Sequence, residues 1–179
     1  MRNLRNFSNP TLIKMYYSTD YNSPLGEMIF VSDGEAVCGV WFKGQKNFSS
    51  SIPEGLIHDD DLAIFKKVKI WFDSYFDGVN PEIDFELKPD GSEFRMKVWK
   101  MLCEIPYGET LTYGEIAREI SPTMSAQAVG GAVGHNPIAI LIPCHRVIGA
   151  DGNLTGYAGG LDRKIELLKL EGHSTELFF

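Results

Sequence analysis

The chain has 179 residues, 44% of them hydrophobic and 23% charged, the balance of an ordinary globular protein with room for one large core or two small ones. A net charge of −7 argues against holding a polyanion by bulk electrostatics, and no apolar run is long enough to span a bilayer. Three widely spaced cysteines (Cys38, Cys103, Cys144) and a polar N-terminus without an apolar leader point to free thiols in a reducing, cytoplasmic setting.

Residues 1–12 are polar and irregular and read as a loosely held arm. Lys14 to Thr19, Glu27 to Val31 and Ala36 to Phe42 are rich in aromatic and β-branched residues. Turn signals separate them at Ser23-Pro24-Leu25-Gly26 and Asp33-Gly34, so the spacing predicts an antiparallel meander. After a loop-like stretch from Gly44 to Pro53, apolar residues at Leu62, Phe65, Val68, Trp71, Phe72 and Tyr75 predict a helix over 60–76, with Asp59, Asp60 and Asp61 at its positive end. Ile83, Phe85 and Leu87 alternate as a further strand. Pro89-Asp90-Gly91 is a turn and the expected boundary between an N-terminal unit, 1–91, and a C-terminal unit, 92–179.

The second unit reads as helical. Ser92 caps a helix running to about Glu104, and Pro106-Tyr107-Gly108 breaks it. Thr112 caps a short helix with Tyr113, Ile116, Ala117 and Ile120 on one face, and a third begins near Ser125. Two short helices joined by a tight turn have the pattern of a helix-turn-helix. The second of the pair, beginning Ala126-Gln127, is almost bare: Gly130, Gly131 and Gly134 weaken it by about 1 kcal/mol each relative to alanine. Two explanations stand side by side, close packing on a neighbouring helix and close approach of another backbone such as nucleic acid. Charge favours this half for a polyanion, with 8 Lys/Arg against 10 Asp/Glu in residues 93–179 and 9 against 14 in residues 1–92.

Next comes Ile138 to Ile142, a buried strand in this reading, stopped by Pro143, with Cys144, His145 and Arg146 directly after. A thiol attacks as thiolate, and cationic or hydrogen-bonding neighbours favour that form. Adjacent side chains rarely face each other, so a direct Cys–His pair is disfavoured and a bridging water is the natural link. A carboxylate is wanted to orient the imidazole, and spacing does not choose among Asp151, Asp162, Glu166 and Glu171. Cys103, His135, Cys144 and His145 match no zinc spacing, so neither metal nor cofactor is expected. A glycine-rich loop over 149–160 surrounds Tyr157, and a last amphipathic helix, Leu161 to Leu170, closes on Glu171-Gly172.

Gly130-Gly131-Ala132, Asn136-Pro137, Ile142-Pro143-Cys144-His145-Arg146-Val147, Gly156-Tyr157-Ala158-Gly159-Gly160 and Leu170-Glu171-Gly172-His173 together resemble the O6-alkylguanine-DNA alkyltransferases over about 92–173. The resemblance implies an α+β fold: a ribonuclease-H-like meander plus helix at the N-terminus, then a helical, winged-helix-like domain carrying the helix-turn-helix. With a monomer as the default expectation, it further implies binding to double-stranded DNA from the minor groove and transfer of the alkyl group of O6-alkylguanine onto Cys144 as a thioether. In that scheme His145 accepts the thiol proton through water, Glu171 polarises the imidazole, and Asn136 is the hinge between recognition helix and active-site strand. Tyr113 assists nucleotide rotation and donates to the base. The Cys144 and Val147 carbonyls accept from the exocyclic amine, the Ala158 amide approaches O6, and Tyr157 walls the pocket. Ala126, Gln127, Gly130, Gly131 and Arg146 belong to the DNA-facing set.

One position departs from the family pattern. Its best-known members insert an arginine from the recognition helix into the stack, and Gln127 stands there in this chain. Glutamine fills the gap and hydrogen-bonds the orphaned base without the charge or planar stacking of a guanidinium. Because a thioether has no easy leaving path, the resemblance implies one turnover per chain. Three rivals are a lesion sensor that binds without repair, against which Cys144 speaks, a helix-turn-helix regulator, and a cysteine hydrolase.

Overall fold

The computed structural model describes residues 14–46 and 48–174; the expected N-terminal arm, 1–12, lies outside them. Three strands form the meander: β1 (Tyr17–Ser23), β2 (Gly26–Ser32) and β3 (Val37–Phe42). They are antiparallel, with Tyr17 opposite Ser32 and Met28 opposite Phe42. A short helix α1 (Phe48–Ser51) leads to β4 (Ile57–His58), which pairs parallel with β1 and completes the order β3-β2-β1-β4. The first turn works because Gly26 takes a φ of 118°, and Ser23 Oγ both accepts from Leu25 N and donates to the Gly26 carbonyl. In the second, Asp33 Oδ1 accepts the N–H groups of Glu35 and Ala36.

Helix α2 (Ala63–Phe76) buries Phe65, Val68, Trp71, Phe72 and Tyr75 and meets the sheet through Phe72, stacked on Phe30 at 4.8 Å. It begins at Ala63 rather than Asp60. Asp60 is drawn to the Thr19 hydroxyl and Lys69, and Asp59 Oδ1 accepts from Asp61 N, so these acids build the preceding turn.

The C-terminal part contains α3 (Glu93–Cys103), α4 (Tyr113–Ile120), α5 (Ala126–Gly134) and α6 (Leu161–Leu170). Ser92 and Ser125 cap α3 and α5, and Thr112 with Glu115 makes a capping box on α4. Two short strands that sequence patterning missed, β5 (Leu111–Thr112) and β6 (Val147–Ile148), pair in parallel and tie the entry of α4 to the residues after the thiol. Among the described residues no helix is long and apolar enough to cross a membrane.

Two expected strands are absent. The stretch Ile83 to Leu87 runs outside regular structure, and only Leu87 bridges to Val37. The edge of β3 is divided: Val37 bonds to Glu86 and Lys88, whereas Val40 N–H donates to the Pro137 carbonyl and the Val40 carbonyl accepts from Ala139 N. The stretch Ile138 to Ile142 folds into a tight turn instead of extending. Leu141 N donates to Ala139, Ile142 N donates to Ile138, and Ile140 has a φ of 71°, the one positive φ outside glycine among the described residues. For a β-branched residue that conformation costs about 1–3 kcal/mol. Burial of Ile138, Ile140, Leu141 and Ile142 offsets it. A run of buried apolar residues satisfies a strand and a buried turn equally well, and here the edge of β3 decides. One contiguous core joins the two parts.

Candidate active site

The turn at Ile140 is held from inside by Asn136. Its Oδ1 accepts from Ile138 N at 2.9 Å, and its Nδ2 donates to the Ile142 carbonyl at 2.7 Å and to Cys144 Sγ at 3.1 Å. One amide thus closes the turn and touches the sulfur. Cys144 opens a single 3-10 turn, Cys144–Arg146, and is 6% exposed. Burial pushes its thiol above the ordinary cysteine range, while the Asn136 hydrogen bond and the charge of Lys164 oppose the rise. At neutral pH the group is a thiol and needs a proton acceptor to become a nucleophile.

His145, the residue after the thiol, is paired with Glu171. His145 Nε2 lies 2.7 Å from Glu171 Oε1, with both side chains fully buried. Burial lowers the imidazole's basicity, so the ring is neutral at neutral pH. Burial pushes Glu171 the other way, yet donors from His145, Arg146 and Tyr75 outweigh it and hold the acid far below the usual carboxylate range. With the acid ionised, the ring proton sits on Nε2, and Nδ1 is left with its lone pair and no hydrogen-bond partner among the described residues. The acid that spacing could not choose is therefore Glu171, at the C-terminal end of α6, whose following Gly172 takes the left-handed φ of 94°.

Arg146 does not face outward with the DNA-facing set. Its Nε donates to Glu171 Oε2 at 2.8 Å, its Nη2 to Oε1 at 3.0 Å and its Nη1 to the Ile105 carbonyl at 2.7 Å. The guanidinium is committed to the acid because a buried carboxylate needs a partner.

Two residues that sequence reasoning passed over sit in the same cluster. Tyr75, from α2, donates to Glu171 Oε1 at 2.7 Å. Lys164, fully buried on α6, donates to the Val147 carbonyl at 2.6 Å and the Thr155 carbonyl at 3.2 Å. Burial brings its ammonium down to about 8. The available signal was a lysine on the apolar face of the last helix, one turn before Leu167 and Leu168, since charged residues are almost never fully buried unless paired.

Beside this cluster opens a cavity of about 690 Å³ whose wall includes Tyr113, Gln127, Gly131, Tyr157 and Ala158, with Ala126 and Gly130 also in it. The glycines of α5 face it freely. A Cβ at Gly131 or Gly134 would meet nothing within 4 Å, and one at Gly130 only the Tyr113 ring at 3.8 Å. Packing therefore does not demand them, and of the two explanations the bare, approachable face is the one that fits. Gly159 does have a packing reason, because a Cβ there would lie 2.6 Å from the Tyr157 ring. The thiol is not itself part of the cavity wall. Tyr113 Oη donates to the Thr155 carbonyl at 2.9 Å, which pins the glycine-rich loop over this side. The Cys144 carbonyl already accepts from Val147 N, and the Val147 carbonyl from Lys164, which leaves one lone pair on each. Among the described residues no group of three His, Cys, Asp or Glu side chains could hold a metal.

Two family models match the chain. One described as 6-O-methylguanine DNA methyltransferase, ribonuclease-like domain, matches residues 15–89, and one described as 6-O-methylguanine DNA methyltransferase, DNA binding domain, matches residues 93–173. The chain is 46% identical over 159 residues to a methylated-DNA–protein-cysteine methyltransferase of Methanosarcina acetivorans, covering 88% of this chain and 99% of that one. A protein of the same description from Haemophilus influenzae is 45% identical over 157 residues, covering 87% and 86%. Among solved structures, the Mycobacterium tuberculosis O6-methylguanine methyltransferase superposes with a TM-score of 0.79 at 43% identity, over 88% of this chain and 93% of that one. The same organism's OGT in complex with DNA gives 0.79 at 42% identity, over 87% and 92%.

Proposed function

Since the chain belongs to the 6-O-methylguanine DNA methyltransferase family, we propose that it repairs DNA directly, moving the alkyl group of O6-alkylguanine onto Cys144 once per molecule. The contact that carries this reading is the buried 2.7 Å approach of His145 Nε2 to Glu171 Oε1, which leaves Nδ1 as a base on the residue next to the thiol.

An O6-alkyl carbon is inaccessible inside duplex DNA, so the nucleotide rotates out at a cost of a few kcal/mol. The α4–α5 pair meets the minor groove with its bare face, and Gln127 fills the gap left in the stack. Tyr113 leaves the Thr155 carbonyl and donates to the everted base. The second lone pairs of the Cys144 and Val147 carbonyls accept from its exocyclic amine, the Ala158 amide approaches O6, and Tyr157 forms the wall. The thiol proton passes through a water to His145 Nδ1, and Asn136 and the Lys164 ammonium stabilise the sulfur as it gains charge. Sulfur then bonds to the alkyl carbon as the bond from that carbon to guanine O6 breaks, and the departing guanine takes up a proton. The thioether is permanent.

Residues 1–91 support this chemistry and residues 92–179 bind DNA and carry it out. The protein acts as a monomer, in the cytoplasm, where its thiols stay reduced. The test is to incubate the protein with a duplex carrying O6-methylguanine and weigh the Cys144 peptide. One methyl group per chain is expected. An unchanged peptide, or more than one lesion repaired per chain, overturns the reading.

A further inference from the structure

We propose that Tyr75, a residue of the N-terminal part, is a positioning residue for the His145–Glu171 pair, holding the acid so that the proton leaving the thiol stays on the imidazole. The proposal rests on the proton-acceptor reading given above.

Tyr75 lies in the last turn of α2, parallel to Trp71 at 5.2 Å and 10° and edge-on to Tyr107 at 6.2 Å and 84°. Its hydroxyl is 2.7 Å from Glu171 Oε1 and 3.4 Å from His145 Nε2. Nε2 already gives its proton to Oε1, so the hydroxyl proton has the same oxygen as its acceptor. Oε1 therefore holds three donors, from His145, Tyr75 and Arg146 Nη2. Each donor lowers the carboxylate's affinity for a proton.

The charged and titratable groups around the pair are Arg146 from the 3-10 turn, Lys164 from α6, Cys144 next to His145 in the chain, Tyr107, whose hydroxyl donates to the Leu170 carbonyl, and the buried Tyr157. Arg146 and Lys164 both make His145 a weaker base, which gives the acid more chance to compete for the proton. Tyr75 opposes that competition, and burial keeps it neutral and able to donate. A tyrosine that merely packed would also find a hydrogen-bond partner. Only the positioning role makes the pH dependence of the transfer depend on the oxygen.

The test uses the full chain as Tyr75→Phe, which keeps the stacking on Trp71 and removes the oxygen alone. Single-turnover methyl transfer from O6-methylguanine duplex is followed from pH 5 to 9. We expect the acid limb of the rate profile to move up by about one pH unit, with a rate about tenfold lower at the acid end, a near-normal rate at pH 8 and unchanged DNA affinity. A profile superimposable on that of the unaltered protein, or an unaltered protein with no acid limb in this range, overturns the proposal. If Tyr75→Phe fails to fold, 3-fluorotyrosine at position 75, a stronger donor, should move the limb down, and no movement is equally fatal. Failure of the unaltered protein to methylate Cys144 sinks the functional reading itself, and is distinguishable because it needs no variant.

Discussion

Replacing Asn136 by alanine removes the one side chain that both closes the Ile138–Ile142 turn and touches the sulfur. The stability cost follows from which groups lose their partners. The Ile142 carbonyl keeps Cys144 N, and the Ile138 carbonyl keeps Ile142 N, so neither is stranded. Ile138 N–H loses Asn136 Oδ1 in a buried site, which costs about 1–3 kcal/mol. The cavity left by the amide brings the total to about 2–4 kcal/mol. For a chain of this size that is a fall in Tm of about 5–15 °C, measured by thermal unfolding. Reactivity falls separately, because the Nδ2–H to Sγ bond strengthens as the sulfur becomes thiolate. A hydrogen bond to a charged group is worth about 1.5–3 kcal/mol, so methyl transfer should slow by about 10- to 100-fold, measured by single-turnover quench at a temperature where the variant is folded. A variant that unfolds within 2 °C of the original (about the effect of 1 kcal/mol) and transfers within twofold of its rate would refute the bracing argument.

Gln127→Arg places a cation on the exposed start of α5, at the cavity mouth. DNA binding should tighten, and the slope of log affinity against log salt should steepen by about one; equal or weaker binding would remove Gln127 from the DNA interface. Asp33 tests the frame rather than the site. Partial burial pushes its carboxyl up, but the Lys88 ammonium and the Ala36 and Glu35 N–H groups outweigh that and bring it down to about 2. A depressed carboxyl stabilises the fold fully above its unfolded value near 4 and loses that contribution as pH falls towards 2. Asp33→Asn should therefore flatten the stability curve between about pH 4 and 2, by at most about 2 kcal/mol in urea titrations. An unchanged curve would show that the turn does not depend on this charge.

Local chemistry made much of the architecture readable. Caps at Ser92 and Thr112, the start of α5 at Ser125 and the apolar spacing of α2 fall where patterning puts them, because a cap or an amphipathic face is a matter of neighbouring residues. The misplaced elements all depend on distant partners. Ile83–Leu87 and Ile138–Ile142 compete for one edge of β3, and nothing within either stretch reveals that the second takes Val40. The family resemblance places Arg146 in the DNA-facing set, and only Glu171, 25 residues further on, turns it inward.

The amino-acid order alone carried a thiol followed by imidazole and guanidinium, a bare glycine-rich helix, and a family likeness that implied which acid meets the imidazole. Tertiary structure decided how those groups are charged. Hydration of a carboxylate, an imidazole or an ammonium depends on what surrounds it in three dimensions: burial keeps Cys144 a thiol and His145 neutral, while the donors His145, Arg146 and Tyr75 overcome burial and keep Glu171 an anion.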